Sequence, residues 1–301
     1  MTIMKDNFPH PKKPFLEERK HRGEDMQQPH LPELKRFLEE NWQQIDEIYI
    51  SLQKQAGANN PIHIPHKIKT DLSLEYGTGA AMIPTDRTTV YFRHKGLPSD
   101  NHDLPRLIHY WVHEAVHATS KAKEKISLFP KTSYTMESGV AMRSLTLNPD
   151  RDDKHVNDLG EDFNEAITEH IANTILVELS RRGIYKQSDE NIRKEAAYKP
   201  QGESFTEIVS ALAKHFEVDE ELLWRSFVRQ YFTAEIPIRD FYSMLFQLTK
   251  DKELKFVHEK LVSLIDKTKA SKIIKVGEES KTFYDVKDAL DWSKRGLRLD
   301  Q

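Results

Sequence analysis

The chain has 301 residues, 31% of them charged, with a formal net charge of -3 and no cysteine. That length buries a sizeable core without disulfides or a structural metal, and the near-balanced charge offers no field that would draw nucleic acid or an anionic membrane surface. The absence of thiols removes disulfide frameworks and thiolate metal sites, which leaves histidine and carboxylates as the available metal ligands.

Residues 1–30 combine Pro9, Pro11, Pro14 and Pro29 with dense mixed charge and few aliphatics, and read as a disordered arm. The opening stretch lacks the apolar core of a signal peptide, and no apolar run approaches the roughly 18 residues of a membrane span. Cytoplasmic residence is therefore expected, with signal-independent export left open. Leu34, Phe37, Leu38, Trp42, Ile45, Ile48, Tyr49 and Leu52 recur at helical spacing before Gly57, which predicts one amphipathic helix. From Ile62 to Arg93 the pattern changes. Ile62, Ile64 and Ile68 alternate with polar residues, then YGTGAAMI and TTVYFR flank the turn signal Pro84-Thr85-Asp86-Arg87, which predicts sheet with a hairpin. Asp103 as N-cap, Pro105 in the first turn and the apolar face Leu104, Leu107, Ile108, Trp111, Val112, Ala115 and Val116 predict a helix over 104–120.

After a polar connection, SYTMESGVAMRSLTL reads as a strand pair, and Gly160 opens a helical pattern over 161–182. Beyond Pro200 the expected helices are 203–216, 219–233 capped by Asp219, 238–249 and 251–268, while SKIIKVGEESKTFYDV reads as a small hairpin or an extension. Strands first and helices after imply an α+β class. The implied organisation is the arm 1–30, an upper part 31–160, a helical lower part 161–270 and a C-terminal extension 271–301.

His113-Glu114-Ala115-Val116-His117 is an HExxH sequence, and helical i, i+4 spacing brings both imidazoles to one face, where two nitrogens can grip one ion. Zinc suits such a site because it takes imidazole readily and, in catalytic sites, keeps three protein ligands plus a water. Glu114 then lies where a general base is needed. With 14 histidines, composition alone produces this pattern in about one such chain in twenty, so its context matters. The context is a predicted helix directly after a predicted hairpin, followed by a second helix reading Asn164-Glu165-Ala166-Ile167-Thr168-Glu169. Glu165 and Glu169 stand one turn apart, and stacked carboxylates facing a core repel unless positive charge lies between or beside them. A metal with histidine ligands supplies it, with Glu165 binding the ion and Glu169 accepting a hydrogen bond from a ligand ring. The same acids, with Glu161 and Asp162, also fit an ordinary solvated helix face.

At these residues, and over roughly 74–180, the chain resembles the gluzincin branch of the zincin metallopeptidases, of which thermolysin is a member. The resemblance implies a zincin-like fold: a small, twisted, mostly antiparallel sheet packed on the HExxH helix above a mainly helical lower subdomain. It implies Zn2+ held by His113, His117 and Glu165, with Glu169 behind them. The metzincin pattern needs Gly and His where Ser120 and Lys123 stand. Glu137-Ser138-Gly139-Val140, with Asn164 to Glu169, is also similar to small uncharacterised bacterial zincins. The resemblance further implies that an edge strand, here Tyr76 to Ile83, binds an extended peptide substrate, for which Gly77, Gly79, Ala80 and Ala81 are small enough; a loosely packed hairpin with glycines for twist fits the same residues. Family members add a Tyr or His that stabilises the oxyanion. Tyr231 is the candidate for that role, its rival reading being a core tyrosine with a satisfied hydroxyl. His170 points away from the 165/169 face, and the helix axis carries His109 too far to bind the ion.

The expected function is thus zinc-dependent hydrolysis of peptide bonds with Glu114 as general base. Hydrolysis of a non-peptide bond, or binding with little turnover, are the alternatives. Peptide or protein is the expected partner, nucleic acid and membrane are not, and the oligomeric state is left open.

Overall fold

The structure is a computed structural model, described over residues 30–71, 80–83, 86–93, 103–127, 132–148, 153–194 and 198–265. The arm before His30, Gly77 and Gly79, the Pro84-Thr85 turn, the SKIIKVGEESKTFYDV segment and the 271–301 extension lie outside the described residues.

The chain is a mixed α+β fold. Helix α1 (Leu31–Gln55) is followed by β1 (Lys67–Asp71), β2 (Ala80–Ile83) and β3 (Asp86–Arg93), which form a sheet of order β1-β3-β2. The β2–β3 pair is antiparallel and β1 runs parallel to β3; with the antiparallel second sheet described below, the strand pairing is mostly antiparallel, as expected. The alternating stretch expected to begin sheet at Ile62 is instead a strap on α1. Gln53 brackets Ile62, its amide donating to the Ile62 carbonyl at 2.8 Å and its oxygen accepting the Ile62 N–H at 2.9 Å. Asp46 accepts the Ile64 N–H at 2.9 Å, and the Trp42 indole donates to the Ile64 carbonyl at 3.1 Å. Backbone groups satisfied by helix side chains need no neighbouring strand.

Helix α2 (Leu104–Thr119) packs on β2 and β3. Its start is capped as its sequence implies, the Asp103 carboxylate accepting the Arg106 N–H at 3.2 Å. A second sheet then intervenes, the antiparallel meander β4 (Ala122–Ser127), β5 (Thr132–Ser138), β6 (Ala141–Asn148) and β7 (Asp153–Leu159). Of this sheet the hydrophobic pattern indicates only β5 and β6. Helix α3 (Glu161–Arg181) follows, then α4 (Asp189–Lys194), α5 (Lys199–His215), α6 (Glu220–Thr233), α7 (Ile238–Leu248), a 3-10 turn at Lys252–Leu254 and α8 (Lys255–Ile265). Helix α3 contacts α1, α2, α4, α5, α6 and α8, so it is the spine of the helical half. Its apolar residues Phe163, Ile167, Ile171 and Ile175 are buried together with the polar Asn164, Thr168 and Glu169, which is why its sequence shows little amphipathic contrast. An edge-on aromatic group of Phe163, Phe205, Phe227, Phe241 and Tyr242 closes the core beside it. Among the described residues no helix is long and apolar enough to cross a membrane.

The β5–β6 turn fixes α2 against α3. The Val140 N–H donates to Asn164 Oδ1 at 3.0 Å, the Gly139 N–H donates to the Lys121 carbonyl at 2.9 Å, and the Tyr242 hydroxyl donates to the Val140 carbonyl at 2.6 Å. Gly139 has φ +60°, and a Cβ there would run into Asn164 Oδ1 and the Tyr231 ring. Gly139→Ala therefore meets both backbone strain and a clash. It should destabilise the protein by about 2–4 kcal/mol, read as a lower urea midpoint.

Candidate metal centre

Helices α2 and α3 each place residues one turn apart on the facing surfaces, so their side chains interleave. Along α2 stand His109, His113 and His117; along α3 stand Glu165 and Glu169. The result is an alternating ladder. His109 Nε2 lies 2.5 Å from Glu169 Oε1, and His113 Nδ1 lies 2.9 Å from Glu169 Oε2. His113 Nε2 lies 2.9 Å from Glu165 Oε2, and His117 Nε2 lies 3.0 Å from that same oxygen.

One end of the ladder is dry and the other is wet. His109 and Glu169 are 1% exposed, whereas Glu165 and His117 are 16% and 12% exposed. At the wet end three ligand atoms converge, His113 Nε2, His117 Nε2 and Glu165 Oε2, with the two nitrogens 3.1 Å apart. Lone pairs converging this closely repel unless protons or a cation lie among them. A triangle of this size accepts an ion about 2.0–2.2 Å from each corner, the range of imidazole and carboxylate bonds to zinc. The group can therefore hold a metal ion, and the donor set of two imidazoles and one carboxylate suits several divalent transition metals.

Each ligand ring is held from behind. His113 donates from Nδ1 to Glu169. His117 Nδ1 faces the Thr168 hydroxyl at 3.3 Å and the Asn164 amide nitrogen at 3.4 Å. Thr168 in turn bonds the Asn164 carbonyl at 2.9 Å and the Tyr231 hydroxyl at 3.0 Å. Tyr231 is thus fully buried behind His117, its hydroxyl also reaching the Val116 carbonyl at 3.4 Å. Its hydroxyl is engaged with Thr168 of α3 and the Val116 carbonyl of α2, so it ties the two helices together. His170 lies off the ladder, its ring stacked on Trp224 at 3.5 Å, and burial with the nearby Arg193 charge lowers its pKa to about 3. Ala80 opens β2, whose outer edge has no strand partner among the described residues.

Tyr198, the N-cap residue of α5, is a residue the sequence reading missed. Its ring stacks on that of His113 at 4.9 Å and 17°. Burial, followed by the charges of Glu165 and Glu114, pushes its hydroxyl well above the usual tyrosine range, so it stays a protonated donor. The only sequence signal was its place just ahead of Lys199-Pro200, where α5 begins. Glu114 itself is partly exposed on α2.

No family model, curated protein or solved structure matches this chain.

Without an ion the ladder must be held by protons. Burial alone would lower the pKa of His113, but the hydrogen bonds it donates to Glu165 and then Glu169, with their charges, raise it from 6.5 to about 10. Burial would raise Glu169, yet hydrogen bonds from His109 and His113 lower it from 4.5 to about 2. A raised histidine pKa gives stability that is complete below pH 6.5 and is lost as pH climbs toward about 10. The Glu169 contribution is complete above pH 4.5 and lost as pH falls toward about 2. Metal-stripped protein should therefore lose stability steadily from neutral pH to about pH 10, and zinc-loaded protein should not, because its ligand nitrogens carry no proton to lose. Urea unfolding across that range, with and without zinc, checks this; a flat profile for the stripped protein contradicts it.

Proposed function

We propose that this chain is a zinc-dependent peptidase of the gluzincin type. The observation that carries the reading is the convergence of His113, His117 and Glu165 at the solvent-facing end of the ladder, with Glu114 beside His113 in the chain and the Tyr198 phenol within electrostatic reach of both Glu114 and Glu165. His113, His117 and Glu165 would hold the ion. When bound, it would supply a Lewis acid that acidifies water and polarises a carbonyl oxygen.

The remaining work falls to this chain's own groups. Glu114 takes a proton from the attacking water and returns it to the leaving amine. Tyr198, kept protonated by its acidic surroundings, donates a hydrogen bond to the oxyanion that develops on the substrate carbonyl. Glu169 keeps the His113 ring in the tautomer that leaves Nε2 free to bind. The outer edge of β2, which has no strand partner among the described residues and lies on the sheet against which α2 packs, would offer backbone groups to an extended peptide. That edge favours a peptide over a small non-peptide substrate, which a closed pocket would hold better.

Four variants separate these roles. Glu114→Gln should retain stoichiometric zinc and lose hydrolysis of an unstructured protein, because an amide cannot accept the proton. Glu165→Gln and His117→Ala should lose zinc and activity together, each removing one of three ligands. Tyr198→Phe should retain zinc and substrate binding while kcat falls roughly 100-fold. Metal analysis and a protein-digestion assay on the same preparations provide the readouts. A Glu114→Gln protein cleaving at the wild-type rate removes the mechanism.

A further inference from the structure

His109 belongs to neither the ligand set nor the proposed chemistry, yet it is buried at the dry end of the ladder with one of its two ring nitrogens committed. Its Nε2 meets Glu169 Oε1 at 2.5 Å, while its Nδ1 is buried with no hydrogen-bond partner. The other oxygen of the same carboxylate meets His113 Nδ1 at 2.9 Å. We infer that His109 is a positioning residue for the metal centre: by holding Oε1 of Glu169 it fixes the plane of that carboxylate, and through Oε2 it fixes the ring of His113.

The physical case starts from Glu169. A buried carboxylate must be met by donors, because water cannot reach it. Here each oxygen is met by one imidazole, one on either side along α2. With a single donor the carboxylate could turn about its terminal torsion, which is broad and only two-fold. With two donors on the same rigid helix it cannot turn without breaking one bond. Helix α5 passes nearby, since a Cβ added at Gly202 would lie 3.9 Å from Glu169 Cγ.

Once an ion takes Nε2 of His113, the two bonds require opposite tautomers. A neutral His109 that donates from Nε2 leaves Nδ1 as a bare acceptor, which matches the buried and unpartnered Nδ1. His113 donates from Nδ1 to Glu169, which would leave Nε2, pointed at the other two ligand atoms, as the nitrogen to meet an ion. One carboxylate thus selects the non-binding tautomer in His109 and the binding one in His113. A purely structural histidine would support the fold and have no effect on the ion.

This inference rests on the metal-site reading above, and the test keeps the two apart. Zinc affinity of the full-length, metal-stripped protein is measured by chelator competition for wild type, His109→Gln, His109→Leu, Glu169→Gln and the His109→Leu/Glu169→Gln double variant. His109→Leu should weaken zinc binding about tenfold, as loss of an outer-shell partner does. His109→Gln, whose amide can still donate to Oε1, should stay within about twofold of wild type. In the Glu169→Gln background the leucine change should have no further effect on affinity, because the path runs through that carboxylate. Wild-type affinity in His109→Leu, an equal loss in both backgrounds, or a glutamine variant as weak as the leucine one would each overturn the inference.

A second readout needs neither activity nor a bound ion. Nitrogen-15 spectra of histidine-labelled wild type should show the proton of His109 on Nε2 and should place a proton on Nδ1 of His113. The His113 Nδ1–H resonance should shift or broaden in His109→Leu and persist in His109→Gln. A His109 proton on Nδ1 overturns the inference even if His109→Leu fails to fold. If wild type takes up no zinc, the functional reading fails, and the nitrogen spectra still decide whether His109 positions His113.

Discussion

The structure is organised by the need to bury two glutamates against one another's charge. Glu165 and Glu169, a single turn apart on α3, would repel if they faced an apolar core. They are tolerated because α2 supplies an imidazole on each side of each carboxylate, at His109, His113 and His117. This works only while the two helices stay in step, since both repeat by the same pitch and a shift of one residue would set carboxylate against carboxylate. Several other features of the fold serve that register. The Gly139–Val140 turn links Asn164 of α3 to Lys121, just past the end of α2. On the far side, Tyr49 of α1 reaches the Thr119 hydroxyl at the last turn of α2.

The ladder also grades solvent access along its length. At the His109 end the carboxylate is enclosed, so its bonds act in a low dielectric and hold their geometry. At the Glu165 and His117 end the side chains are partly open, so an ion and a substrate could enter. Rigid support and access are therefore separated by about two helical turns rather than competing at one position.

Local signals in the sequence proved readable and tertiary ones did not. The boundaries of α2 are encoded within a few residues by Asp103, Pro105 and the apolar repeat, and the structure places the helix at Leu104–Thr119. The i, i+4 pairs on α2 and α3 are likewise local, which is why His113, His117 and Glu165, a group able to hold a metal ion, are legible from spacing alone. Tyr198 was not readable, because its place over His113 depends on how α5 crosses back over the site. The bond from His109 to Glu169 depends on the relative height of two helices, which spacing within either one does not set. Strands β4 (AKEKIS) and β7 (DKHVNDL) are too polar to show a buried face in sequence, and their neighbours in the meander define them instead.

The meander has a consequence for how the site assembles. His117 and Glu165 are far apart in the chain, and an unstructured loop between them would impose a closure entropy on every folding attempt. Strands β4 to β7 pair only with their sequence neighbours, so the intervening segment can zip up through short-range hairpins. Once it has done so, Ala122 and Leu159 stand at the same end of the sheet, about three strand spacings apart, close enough for α3 to return beside α2. On a ribosome, the HExxH helix would emerge first and wait, with its histidines unpaired, for the meander to deliver the glutamates.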